Sequence, residues 1–123
     1  MAKVERFEDL NCWQEARKLV NIVYEACNNG PMATDFDMKG QIRRASISTM
    51  NNIAEGFGRY SKKELIRFLE ISSSSANEVK SVSYAALDLS YWSKETVSTI
   101  QAKAEDVKAL DLGLIRYLKG KKK

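Results

Sequence analysis

Apolar residues recur near the start of the chain at steps of three and four: Leu10, Trp13, Ala16, Val20, Val23 or Tyr24, then Cys27. Side chains at that spacing share one side of a helix, so the segment is predicted helical with this face inward. Asn28-Asn29-Gly30-Pro31 stops it, because glycine accepts the left-handed turn after a helix and proline cannot continue one. Thr34 with Asp37 is a weak capping signature for a second helix, whose inward face is Ile42, Ser46, Thr49, Met50, Ile53, Ala54 and Phe57. Gly56 and Gly58 mark its end. The third start is the strongest local signal: Ser61 and Glu64 have capping-box spacing, and Tyr60 and Leu65 occupy the two hydrophobic-staple positions.

From Leu65 a small or apolar face runs through Phe68, Ser72, Ala76, Val79, Val82, Ala86 and Leu89. The run Ser72-Ser73-Ser74-Ser75 is flanked on both sides by helical periodicity. It therefore reads as a stretch where small side chains let another helix approach, not as a linker. Ser93 can cap a fourth helix with Val97, Ile100, Ala104, Val107, Leu110, Leu114 and Leu118 inward. No strand-like alternation competes. Helices of roughly 20 to 28 residues, about 30 to 42 Å long, joined by short connections, must lie antiparallel to their neighbours. The expected fold is all-α, an antiparallel up-down-up-down four-helix bundle spanning residues 1–118, with a basic tail at 119–123.

Composition agrees with one globular domain: 123 residues, 44% hydrophobic and 29% charged, with one proline and six glycines. Trp13, Tyr24, Phe57, Tyr84, Tyr91 and Trp92 are more aromatic surface than a thin bundle readily covers, so some are expected at contacts between subunits. The charged N-terminus lacks the apolar stretch of a signal peptide, and no window reaches the roughly 18 apolar residues of a membrane span. A cytoplasmic protein with no membrane partner is expected. Cys12 and Cys27 fall on one predicted helix about 22 Å apart, too far for a disulfide, and read as reduced core thiols.

The chain contains no histidine. That removes the commonest general base, the Ser-His and Cys-His pairs and the commonest metal ligand. There is no glycine-rich phosphate loop, and two cysteines without histidine cannot close a zinc site. Glu55, Glu64, Glu70 and Glu78 read as capping or ion-pairing residues, since a dicarboxylate metal bundle would add Glu-x-x-His motifs. The expectation is a protein that is not an enzyme, with no catalytic residues, no cofactor and no metal.

The densest mixture of polar and buried positions runs from Gln41 to Ser61. In an antiparallel hairpin turning near Tyr60, Asn52 lies at the level of Phe68, and Arg44 lies opposite Ala76 to Glu78. One reading is structural: Arg43 or Arg44 pairs with Glu78, and a buried Asn52 fixes the register. The other is a basic surface for nucleic-acid phosphates, made by Arg43, Arg44, Arg59, Lys62, Lys63 and Arg67 together with Lys121, Lys122 and Lys123.

These residues carry a resemblance. Phe7-x-x-Leu10-x-x-Trp13-x-x-Ala16, Gln41-Ile42-Arg43-Arg44-Ala45, Ala76-Asn77-Glu78-Val79 and, most sharply, Asn52-Ile53-Ala54-Glu55-Gly56-x-x-Arg59-x-Ser61-x-x-Glu64 make the chain similar to a family of four-helix-bundle proteins. That family is named for reading frames in intervening sequences of bacterial 23S ribosomal RNA genes. The Ser72-to-Ser75 run departs from its more alanine- and glycine-containing pattern. The resemblance implies a ring-like homopentamer, akin to accessory proteins of diversity-generating retroelements that bind nucleic acid and a reverse transcriptase through a basic surface. It also marks Asn52, Glu55, Gly56, Ser61, Glu64 and Glu78 as family-defining structural residues. With a net charge of +4 per chain, five copies approach about +20, which attracts RNA or DNA strongly at low salt. The competing expectation is a structural adaptor or scaffold that binds a protein partner, with its basic residues serving solubility.

Overall fold

The computed structural model describes residues 3–120 and contains four helices, with no strand among the described residues. They are α1 (Asn11–Ala26), α2 (Phe36–Phe57), α3 (Lys62–Asp88) and α4 (Lys94–Gly120), with short 3-10 turns at Phe7–Asp9 and Gly30–Thr34. Each helix packs on two others in the cycle α1-α2-α3-α4-α1, most extensively α2 on α3 and α3 on α4. Ser48 meets Ser75 and Gln41 meets Glu78 between α2 and α3. Lys80 meets Glu105 and Ser83 meets Gln101 between α3 and α4. In each set one number rises as the other falls, so the neighbours run antiparallel and the bundle is up-down-up-down. α4 continues through Gly120, which makes the first two residues of the expected tail helical; Lys121, Lys122 and Lys123 lie outside the described residues.

Two of the expected caps form. The Ser61 hydroxyl accepts from the Glu64 amide at 3.3 Å, and the Ser93 hydroxyl accepts from the Thr96 amide at 3.1 Å. The cap of α2 is Asp35 rather than Thr34: its carboxylate accepts from the Met38 amide at 3.0 Å and from the Tyr91 hydroxyl at 2.9 Å. These two bonds hold the Asp35 carboxyl below its ordinary range, the Met38 amide acting most. Beside it, the Trp92 indole N–H donates to the Ala26 carbonyl at 3.0 Å, satisfying one of the open carbonyls at the end of α1. The connection between α3 and α4 thus fastens the end of α1 and the start of α2 together. Tyr60 makes no staple, being 92% exposed.

The core is apolar along Leu19, Val23, Met32, Ile42, Ile53, Leu69, Val79, Ile100 and Val107, all fully buried. Leu19 takes the inward place expected of Val20, and Leu89, expected inside, is exposed. Of the six aromatic residues expected to exceed what the bundle covers, Trp92 is buried, Trp13, Tyr24, Phe57 and Tyr91 are half-buried within it, and Tyr84 stays exposed. The serine run is continuous helix, with Ser72, Ser73 and Ser75 buried. Hydroxyls elsewhere in the core bond their own helix: Thr49 donates to the Ser46 carbonyl at 2.6 Å, and Ser83 to the Lys80 carbonyl at 2.6 Å.

The last half of α4 departs most from the expected pattern. Leu110, Leu114 and Leu118 are half-buried, and the positions facing straight in are Asp111 and Ile115. Asp111 is fully buried, and neither of its carboxyl oxygens nor the Ser72 hydroxyl meets a partner in hydrogen-bonding geometry. Burial drives the Asp111 carboxyl from an ordinary 3.8 up to about 7, with the adjacent Ser72 hydroxyl and Cys12 thiol opposing part of the rise. Burial and the Asp111 charge together push the Cys12 thiol up to about 12. Because the folded value of Asp111 lies above its unfolded one, the folded chain holds a proton between about pH 4 and 7 that the unfolded chain has released. Stability should therefore fall by up to about 1.4 kcal/mol per pH unit as pH rises through that window, then level off. Urea midpoints at pH 5 and pH 7.5 test this: the lower pH gives the higher midpoint, and Asp111→Asn removes most of the difference. An unchanged difference in the variant would assign the slope to other groups.

Candidate nucleic-acid interface

The turn between α2 and α3 is built by close packing. Gly56 is buried, and a Cβ placed on it would stand 2.7 Å from the Phe68 Cβ and 3.3 Å from the Leu65 Cα. Any larger residue would press the two backbones apart. Side chains lean toward the N-terminus of their own helix, so on antiparallel helices the touching pairs sit a few residues beyond those at equal height. Gly56 therefore meets Phe68, and Ser48 meets Ser75 at 2.8 Å. Asn52 is half-buried and bonds within α2, donating to the Ser48 carbonyl at 2.8 Å and the Ser48 hydroxyl at 2.9 Å.

Two arginines flank the buried Phe68 ring, Arg59 at 5.2 Å and Arg67 at 4.5 Å from its centroid. Each has its own carboxylate: Glu55 binds Arg59 at 3.0 Å, and Glu64 binds Arg67 at 3.1 Å. Arg67 holds the Glu64 carboxyl below its ordinary range, and Glu64 raises the guanidinium in return. The charges of Arg59 and Arg67 are thus largely balanced locally. Higher on α2, Arg43 lies over the Tyr24 ring at 4.5 Å, and the exposed Arg44 folds back over Gly40. The expected pair of Arg43 or Arg44 with Glu78 does not form. Glu78 accepts instead from Gln41 at 2.7 Å, because Arg43 is turned toward α1.

The expected phosphate-binding set is therefore split. Arg43 and Arg44 stand roughly 20 Å up the bundle from the turn, while Arg59, Lys62, Lys63 and Arg67 gather around it. At that end Lys62 and Lys63 in the first turn of α3 meet Lys119 in the last turn of α4. The three lysines and the apolar side chains of Ile66 and Leu118 line an open groove of about 520 Å³. Among the described residues neither Lys63 nor Lys119 is within ion-pair distance of a carboxylate. Lys62 and Lys63 add to the positive end of the α3 dipole, while Lys119 stands at the negative end of α4. By sequence Lys119 belongs to the basic tail; antiparallel register between α3 and α4 is the signal that places it beside Ile66. Among the described residues no group of three or more His, Cys, Asp or Glu is placed to hold a metal ion. No described helix is long and apolar enough to cross a membrane.

A four-helix bundle whose sharpest sequence motif builds the α2–α3 turn defines the class of this molecule. The family model of the 23S rRNA-intervening sequence protein matches residues 8–111, and the chain belongs to that family. Its fold is similar to a crystal structure from Bacteroides thetaiotaomicron, a protein of unknown function from the S23 ribosomal protein family. The TM-score is 0.77 at 21% identity, over 85% of this chain and 97% of that one. Among curated proteins none matches. The motif positions have physical roles: Gly56 for the close approach, Ser61 for the cap, and Glu55 and Glu64 to hold the arginines around Phe68.

Gly56→Ala should lower stability by about 1–3 kcal/mol through overpacking, although alanine is the better helix former. Urea unfolding measures it, and a midpoint at or above that of the parent chain would show that α2 and α3 can separate without cost.

Proposed function

We propose that this chain is a nucleic-acid-associated bundle protein that binds RNA or DNA phosphates at the end formed by the α2–α3 turn and the end of α4, without catalysing a reaction. The observation that carries the reading is the meeting of Lys62, Lys63 and Lys119 in one groove, brought together from opposite ends of two consecutive helices. A phosphate backbone is the ligand such a cluster attracts over a long range and binds with little sequence preference. The family's name, which ties it to intervening sequences of 23S rRNA, supports the same direction.

The acting form on this reading is a homo-oligomer, a pentamer by the family resemblance, in which the clusters of several copies add. Support for self-association comes from apolar side chains left outside the core: Phe36 is 72% exposed, and Tyr84 and Leu89 are each 54% exposed. They lie toward the opposite end of the bundle from the lysines. Those same exposed side chains favour the second reading, an adaptor for a protein partner, and a pull-down that survives nuclease treatment would select it.

The double variant Lys63→Glu/Lys119→Glu should bind RNA at least about ten-fold more weakly at low salt. The slope of log affinity against log salt should shrink by about 0.7–0.9 for each phosphate that is no longer neutralised. Fluorescence anisotropy across a salt series reads both quantities. Unchanged affinity and slope would remove the lysine groove from the reading.

A further inference from the structure

Tyr60 is 92% exposed and holds a φ of 57°, the left-handed region that bulky residues adopt at a cost. Glycine or asparagine suits such a position better, and the tyrosine gains almost no burial there. The turn by itself gives no reason for an aromatic ring. Close to it in the chain are the basic residues Arg59, Lys62 and Lys63. Next to them lies the groove whose rim is charged and whose floor, Ile66 and Leu118, is apolar.

Resting on the nucleic-acid reading above, we infer that the ligand of this end is single-stranded nucleic acid. An unstacked base enters the groove against Ile66 and Leu118, the flanking phosphates meet the lysines, and Tyr60 offers a ring on which a neighbouring base stacks. A duplex keeps its bases stacked inward and presents phosphates to a protein of this shape, so lysines alone would serve it. An apolar floor and an exposed aromatic ring add affinity where bases are free, which is the combination used by proteins that hold single strands. The groove volume of about 520 Å³ lies within the roughly 300–1,000 Å³ usual for sites that enclose small organic groups.

The test compares an unstructured 12-nucleotide oligouridine with a 12-base-pair RNA duplex, by anisotropy at low salt, on the full chain and on Tyr60→Ala and Tyr60→Phe. Thermal melting confirms that each variant folds. The full chain should bind the single strand more tightly than the duplex. Tyr60→Ala should weaken single-strand binding about ten-fold, leaving duplex binding unchanged, and Tyr60→Phe should retain it. Equal or tighter duplex binding, or a Tyr60→Ala variant with undiminished single-strand affinity, overturns the inference while phosphate binding stands. Failure of both ligands to bind overturns the phosphate reading as well.

Discussion

Everything at the candidate interface depends on how closely α2 can approach α3. Gly56 against Phe68 and Leu65 allows the backbones to meet at the turn, and small hydroxyl side chains continue that approach up the seam. With the two helices this close, the connection between them is reduced to Gly58–Ser61 and leaves Tyr60 with no apolar neighbour to cover it. It also fixes where α3 begins, and therefore which residues of its first turn reach the end of α4.

Close approach through serine and threonine carries a burden that alanine would not, since every buried hydroxyl needs a partner. Ser46, Thr49 and Ser83 are satisfied by the carbonyl three residues earlier, and Ser75 by Ser48 across the seam. The exception clusters at Ser72, Asp111 and Cys12, where α3, α4 and α1 converge. There the bundle keeps an acid on a line whose neighbours one turn either side, Val107 and Ile115, are apolar and buried. Polar cores of this kind are tolerated at a cost to stability and narrow the set of alternative packings.

The helices and their caps were legible because their signals are local: Ser61 and Ser93 announce α3 and α4 through spacing alone. Asp35 carries its capping signal locally, three residues before Met38, where the weaker Thr34 signature outcompeted it; only its second bond, to Tyr91 56 residues away, leaves no trace in neighbouring positions. On α4 the leucines at 110, 114 and 118 outweighed Asp111 in any hydrophobic reading, although Asp111 continues the buried line from Val107 to Ile115. The basic segment was visible as composition. Its division into paired arginines and a separate lysine groove was not, because it depends on rotamers and on the return of α4 to the α2–α3 turn.

The shortest helix sits in an asymmetric setting. α1 spans Asn11–Ala26, and its upper end is held by the Trp92 indole on the Ala26 carbonyl. Nearer its start, Glu15 meets Lys103 at 2.6 Å across the α4 seam. Below that pair the seam contains the unpartnered Asp111 carboxyl facing Cys12. Mechanically, α1 is clasped at three levels: by Trp92 at its end, by Lys103 at Glu15, and by the Phe7 ring against Trp13 at its start. Cys12 sits behind the clasp at the start of the helix, its thiol buried beside Asp111.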